Sequence, residues 1–107
     1  MSDPKKKDQA DGIYIHELDE PMTWEGKTYE RFEFKFLDLT GQDGIDVEQE
    51  INEEQGTVLF IPEMTPEYQL RIAARAAGLN DCTVLKQLTL KDTMAIRRSA
   101  RRFLTDM

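Results

Sequence analysis

The sequence has few of the side chains that enzymes use for acid–base, nucleophilic or metal chemistry. It contains one cysteine and one histidine among 107 residues. A lone cysteine cannot form an intramolecular disulfide or build a zinc site by itself, which fits a reducing compartment. His16 lies in a predicted strand without a serine or cysteine motif beside it. Cys82 lies near a helix start, where an apolar packing role is favoured over a reactive thiol.

Phosphate-binding and calcium-binding loops are also missing. Gly41 and Gly44 are not followed by the lysine and hydroxyl residue of a phosphate loop. Asp43, Asp46 and Glu48 lack the spacing and the terminal bidentate glutamate of a calcium loop. The sequence therefore predicts no catalytic, metal-binding or cofactor-binding residue, and it predicts a protein that is not an enzyme.

Long apolar runs are absent as well. No run approaches the roughly 20 residues that a membrane-spanning helix requires. Residues 1–8 contain three lysines but no apolar segment after them, unlike a secretory signal. We therefore expect no membrane association and a cytoplasmic location.

Charge is distributed unevenly along the chain, whose net charge is −7. Residues 1–66 carry 6 basic and 17 acidic side chains, whereas residues 67–107 carry 8 basic and 4 acidic ones. Residues 38–63 include eight acidic side chains and no basic one. Such a stretch repels nucleic-acid phosphates, or it is simply a solvated surface that keeps the protein in solution.

The pattern along the chain predicts one α+β domain. An N-terminal antiparallel β-hairpin or small sheet is expected to pack against a C-terminal bundle of about three helices. Residues 1–11 are polar and lysine-rich and are expected to form a disordered tail. The domain, residues 12–107, divides into a β part (12–39), an acidic connection with a possible helix and short strand (40–61), and a helical part (62–107).

The β part is predicted from alternating residues and turn residues. Strand-favouring side chains occupy residues 13–18, and Pro21, which has no N–H to donate, ends or offsets that strand. Gly26 predicts a tight turn because it accepts a positive φ. Three phenylalanines then alternate with charged residues and predict one buried face that packs on the later helices. They are Phe32, Phe34 and Phe36.

The acidic connection contains a weaker helix signal. Val47 and Ile51 lie four residues apart and favour a helix over about residues 43–55. The glutamates of that helix would repel one another, and Gly56 could end it. The apolar residues 57–61 predict a short buried strand or extended segment.

The helical part has clear start and stop signals. Thr65-Pro66 predicts a helix start and Gly78 predicts its end. A short segment over residues 81–88 follows, and Thr89 with Asp92 resembles a capping box that opens the final helix. The side chains expected to face inward on that helix are Leu90, Met94, Ile96, Ala100, Phe103 and Leu104.

Four arginines lie on the outer flank of the final helix in pairs four residues apart. They are Arg97, Arg98, Arg101 and Arg102. They could form a solvated face that complements the helix dipole, bind acidic groups on this protein or a partner, or track a nucleic-acid backbone. The acidic net charge and the lack of interleaved aromatic residues argue against nucleic acid.

The order of these parts resembles a known family. A Trp-Glu-Gly-Lys-Thr-Tyr hairpin (residues 24–29) leads into an apolar strand and a Leu-Thr-Gly-x-Asp step (39–43). The variable acidic stretch is followed by Tyr-x-Leu-x-x-Ala-Ala-x-Ala-x-Gly-Leu (68–79), Leu-x-x-Leu (85–88), Asp92 and Phe103-Leu104. Over about residues 20–104, the chain resembles the tail assembly chaperones of long-tailed bacteriophages and prophages. These are small proteins encoded just ahead of the tape measure protein.

The resemblance implies a non-enzymatic chaperone in the cytoplasm of a bacterial host. Such proteins bind the long helical tape measure protein, keep it soluble, recruit tail tube subunits around it and leave as the tube polymerises. In many phages a translational frameshift near the end of the gene yields a second, longer product. Competing interpretations are a small phage regulatory protein that contacts nucleic acid through its arginine helix, and a structural subunit of the tail.

A chaperone of this kind should offer an apolar groove to another helix. We expect that groove between the final two helices and the sheet, with Tyr68, Ile72, Met94 and Phe103 as partner contacts. Each of the four could instead be an ordinary core residue. A homo-oligomer is also plausible, with the acidic amino half of one copy facing the arginine flank of another.

Overall fold

The fold of the described residues is a β-hairpin followed by four helices. The computed structural model describes residues 12–105, and the tail expected at residues 1–11 lies outside them. The elements are β1 (Ile13–Trp24), β2 (Lys27–Lys35), α1 (Gly41–Gln55), α2 (Pro66–Ala76), α3 (Thr83–Lys86) and α4 (Leu90–Thr105), with 3₁₀ turns at Phe36–Asp38 and Pro62–Met64. The predicted α+β fold, with an N-terminal hairpin and C-terminal helices, is confirmed.

The hairpin is a two-stranded antiparallel sheet with one large bulge. Glu25 and Gly26 form its turn with φ angles of 51° and 81°, the positive values that a two-residue type I′ turn requires. Pairing is regular up to Glu17 and resumes at Met22, and between them four residues of β1 face one residue of β2. Pro21 lies in this bulge, so it offsets the strand without ending it.

The phenylalanine face of β2 is buried, as the alternation predicts. Phe34 is completely buried, and Phe32 and Phe36 are nearly so. The rings stack in a row that begins with Tyr29 on Phe32, with centroids 5.2 Å apart. The row ends with Phe36 on Phe103 of α4, at 5.1 Å. This aromatic row fastens the hairpin to the final helix, and each fully buried ring contributes roughly 1.5–3 kcal/mol.

Helix α1 confirms the helix expected in the acidic connection. Its start is a capping box in which Thr40 N donates to Asp43 at 2.8 Å. Val47 and Ile51 are buried on its inner face. Gly56 ends the helix with a left-handed φ of 66°.

The buried strand expected over residues 57–61 is wrong. These residues form no strand, and Phe60 is 98% exposed. Only Leu59 of the segment packs against the core. The two strands of the sheet pair only with each other in the described residues, and the phenylalanine face is already covered by helices. The segment adds no third strand to the sheet, and because the aromatic face is covered it finds no apolar surface there on which to bury most of its side chains.

The predicted starts and ends of the last helices are confirmed, but the Thr65 hydroxyl donates to Ile61 O at 3.0 Å and does not cap α2. Pro66 is the first residue of α2, and Gly78 follows that helix with a φ of 74°. Asp92 N donates to the Thr89 hydroxyl at 3.1 Å, which caps α4. The inward position expected for Leu90 is wrong, because Leu90 is 78% exposed. The inner face of α4 is instead formed by residues four apart, with Asp92, Ile96 and Ala100 buried.

Candidate functional site

The four apolar residues expected to bind a partner do not share one open surface. Tyr68 and Ile72 on α2 are only 7% and 2% exposed and belong to the core. A partner could touch them only if the domain opened. Met94 is half-buried beside Arg97, which donates to its sulfur at 3.2 Å. Phe103 is also half-buried, and it is the only one of the four that lines the cavity described next.

An open cavity of about 380 Å³ lies between the start of β1, the 3₁₀ turn at Phe36–Asp38 and α4. Its lining includes the apolar side chains of Phe36, Leu37 and Phe103 and the polar side chains of Tyr14, Arg98 and Arg102. We call it the arginine cavity. Its size is within the range of sites that hold a small ligand, roughly 300–1,000 Å³. Aromatic walls beside guanidinium groups suit an apolar group that adjoins a carboxylate.

The four arginines of α4 divide into two kinds. Arg97 is half-buried and donates to the Gln69 side chain at 3.1 Å, which makes it part of the α2–α4 packing. Arg98 and Arg102 line the arginine cavity, and Arg101 is exposed. Within residues 12–105 none of the four forms an ion pair with a carboxylate. Three of these guanidinium groups are exposed and have no carboxylate partner in the described part of the chain.

Tyr14, His16 and Asp92 form a hydrogen-bonded chain behind this cavity. The Tyr14 hydroxyl lies 2.8 Å from His16 Nδ1, and His16 Nε2 lies 2.8 Å from Asp92 Oδ1. Burial raises the pKa of Tyr14, although Arg98 and Arg102 act in the opposite direction. The phenol therefore stays protonated at neutral pH. Both ring nitrogens of His16 are engaged, one by Tyr14 and one by Asp92, so this histidine links strand β1 to helix α4.

The environment of Asp92 is that of a buried structural carboxylate. Burial acts to raise the pKa of Asp92, but hydrogen bonds from His16 and from Thr89 outweigh it and leave that pKa below its ordinary value. Both oxygens have donors, since the Thr89 hydroxyl donates to Oδ2 at 2.9 Å. In the same way, burial raises the pKa of the Cys82 thiol, which disfavours the reactive thiolate.

A second charged cluster, which the sequence did not predict, joins α1 to α2. Arg71 donates to Glu54 at 2.7 Å and to Glu67 at 2.9 Å. Arg75 donates to Asp43 at 2.7 Å and to Glu50 at 2.9 Å. Hydrogen bonding to Glu54, despite the opposing effect of burial, raises the pKa of Arg71 above its ordinary value.

This cluster explains why the acidic helix α1 is stable. The repulsion expected among its glutamates is offset by two guanidinium groups that lie between α1 and α2. A signal was present in the sequence: Arg71 and Arg75 are four apart, and Asp43, Glu50 and Glu54 recur at helical spacing. Pairing the two patterns would have placed the helices side by side.

The most exposed apolar feature is the loop between α1 and α2. Phe60 at 98%, together with Val58, Ile61 and Met64, places four exposed large apolar side chains within seven residues. We call residues 58–64 the apolar loop. Isolated exposed apolar residues are common, whereas several of them close together are typical of an interaction surface.

Residues 12–105 contain no group of three or more potential metal ligands. No helix in that range is both long and apolar enough to cross a bilayer. Compared with known proteins, the chain matches no family model, no curated protein and no solved structure.

Proposed function

We propose that this protein is a phage tail assembly chaperone that binds the helical tape measure protein, keeps it soluble and assists assembly of the tail tube. The observation that carries the proposal is the apolar loop, with Phe60 almost fully exposed. The order of sequence motifs shared with that family supplies the identity of the partner. The fold itself is compatible with many functions and carries no part of the proposal.

The apolar loop suits a helical partner because such helices bury one apolar face in a groove or against a cluster. Covering one phenylalanine side chain of this exposure contributes roughly 1.5–3 kcal/mol. The loop follows an acidic helix, α1, whose remaining carboxylates would keep the uncovered chaperone from aggregating. A protein of this kind needs no catalytic group, and the Tyr14–His16–Asp92 chain is occupied by its own contacts.

Nucleic-acid binding is a second candidate, favoured by one observation. Arg98, Arg101 and Arg102 have no carboxylate partner within residues 12–105. Three cations on one helix are few against a net charge of −7, and the cavity beside two of them is lined by aromatic and apolar side chains. Retention on heparin and salt-sensitive DNA binding would favour this candidate. A structural tail subunit, in contrast, would remain in finished particles, which a chaperone leaves.

The test is co-expression with the long helical protein encoded immediately downstream. We expect that protein to become soluble and to co-purify with several copies of this chain. Phe60→Ser should abolish solubilisation with an unchanged melting temperature, because the side chain makes almost no contact within the domain. Ile45→Ser, which changes an exposed apolar residue outside the loop, is the matched control. An insoluble, unbound partner beside a folded wild-type chain would overturn the proposal.

A further inference from the structure

We propose that, without a partner, the apolar loop of one copy of this chain lies in the arginine cavity of a second copy. Self-association and partner binding then compete for the same loop. The identity of the competing partner rests on the proposed function, whereas the contact between two copies of this chain does not. It follows from two features of the described residues whose chemistry is complementary, the exposed apolar loop and the open arginine cavity.

The charges on the two features are opposite. Within residues 12–105, Arg98, Arg101 and Arg102 have no carboxylate partner. Over the same residues, five carboxylates of the acidic stretch have no basic partner. They are Asp38, Asp46, Glu48, Glu53 and Glu63. Glu63 belongs to the apolar loop itself, so the loop offers an apolar group and a carboxylate together.

The shapes and surfaces also correspond. The arginine cavity has Phe36 and Phe103 stacked in its wall, which suits the ring of an incoming Phe60. A guanidinium of Arg98 or Arg102 at the cavity edge could lie over that ring. Glu63 follows three residues after Phe60 and lies in the 3₁₀ turn Pro62–Met64, so the Cα atoms of the two residues are closer than about 10 Å, the distance that three extended residues span. Its carboxylate can therefore reach an arginine while the ring fills the cavity.

The two features are formed by different residues, since no residue of the apolar loop lines the cavity. A contact between unlike surfaces leaves one of each free on the pair, so it can repeat or close into a ring. In a closed ring every copy has its apolar loop covered, and in an open chain every copy except one. Free chaperone is then protected from nonspecific association, and a partner must displace a neighbouring copy to reach the loop.

The experiment measures the mass of the full chain by sedimentation equilibrium over a wide concentration range. We expect concentration-dependent association of the wild type that weakens at least tenfold in 1 M salt, because exposed charge pairs are screened. Two variants should each be monomeric: Phe60→Ser, which removes the loop anchor, and the double variant Arg98→Glu/Arg102→Glu, which reverses the cavity charge. Lys91→Glu, an exposed charge reversal on the same helix, should associate like the wild type.

Mixing the two monomeric variants provides the decisive measurement. Each retains one intact surface, so an equimolar mixture should form one-to-one pairs and nothing larger. A wild type that stays monomeric, a cavity variant that still associates, or a mixture that forms no pairs would overturn the contact between copies. Circular dichroism spectra like that of the wild type establish that each variant is folded.

Partner binding separates this inference from the proposed function. The Arg98→Glu/Arg102→Glu variant should bind the downstream helical protein at least as well as the wild type, because its loop is uncovered. Adding that protein to associated wild-type chains should reduce their mass to that of the partner complex. Stable oligomers that bind the partner without dissociating would overturn the competition. If the wild type and the variants associate as expected but none of them binds the downstream helical protein, only the proposed function is overturned.

Discussion

His16 Nε2 lies 2.8 Å from Asp92 Oδ1 and joins strand β1 to the first turn of α4 across 76 residues of sequence. Asp92 is buried, and its second oxygen accepts from Thr89. In the described residues no buried polar side-chain atom lacks a hydrogen-bond partner. The contact therefore joins strand β1 to helix α4 and leaves neither oxygen of the buried carboxylate without a hydrogen bond. An unpaired charge in the same place would destabilise the fold.

Removing either member of this pair should destabilise the domain. We expect His16→Ala to lower the free energy of unfolding by about 1–3 kcal/mol, because it leaves a buried acceptor of Asp92 without its donor. In a double-mutant cycle with Asp92→Asn, measured by urea unfolding, the coupling energy should be about 0.5–3 kcal/mol. Additive effects of the two single variants would show that the contact contributes nothing of its own.

The pH dependence of stability follows from the lowered pKa of Asp92. A carboxylate whose native pKa lies below its ordinary value of 3.8 stabilises the fold above that value. This contribution disappears as the pH falls through the lower native pKa. Stability measured between about pH 6 and pH 2 should therefore decline less steeply for Asp92→Asn than for the wild type. Parallel curves for the two proteins would contradict this assignment.

The guanidinium cluster between α1 and α2 should matter more than an exposed ion pair. Arg71 has a side chain that is 13% exposed and bonds to three carboxylates. Arg71→Ala should cost about 1–3 kcal/mol, and Arg71→Lys should recover only part of it because lysine lacks the planar fork. Arg31→Ala is the matched control, since Arg31 pairs with Glu33 on the surface. That control should change stability by less than about 1 kcal/mol.

Substitutions at two phenylalanines distinguish the core from the proposed binding surface. Phe34→Ala should cost about 3–5 kcal/mol, because the ring is fully buried between its stacked neighbours. Phe60→Ala should change stability by less than about 0.5 kcal/mol. Thermal unfolding monitored by circular dichroism measures both. A large loss of stability in Phe60→Ala would show that the loop packs within the domain and is not a free surface.

The hairpin turn offers a stabilising substitution. Glu25 has a φ of 51°, a left-handed backbone conformation that costs energy for residues other than glycine, asparagine and aspartate. Glu25→Asn should stabilise the fold by about 0.5–1 kcal/mol and raise the melting temperature by about 2–8 °C. Glu17→Asn, an exposed change within β1, should produce no such rise. An unchanged melting temperature for Glu25→Asn would mean that the turn does not store this strain.

The local features of the fold could be predicted because neighbouring residues determine them. The alternation of Phe32, Phe34 and Phe36 specifies a face. Gly26, Gly56 and Gly78 have positive φ angles, which glycine adopts at little cost. The α+β class follows from these signals. These signals depend on residues close in sequence and not on the elements that pack on the other side of the core.

Features that depend on distant partners could not be predicted in the same way. The apolar residues 57–61 resemble a buried strand, but burial requires an apolar surface to pack on, and the aromatic face of the hairpin is already covered by other elements of the core. Leu90 is apolar and is therefore expected to face inward. The inner face of α4 is instead determined by Asp92, whose partner lies in β1. For the candidate site, α4 supplied residues that line the cavity, whereas the contributions of Tyr14 and Phe36 follow only from the tertiary packing.

The stacking of Phe36 on Phe103 also has a consequence for biosynthesis. The complete phenylalanine row of β2 emerges from the ribosome 67 residues before the ring that covers its end. At roughly 5–20 residues per second, the uncovered row persists for several seconds in every nascent chain. During that interval the hairpin exposes an aromatic edge to the cell, and the large bulge in strand β1 limits the growth of a sheet from it.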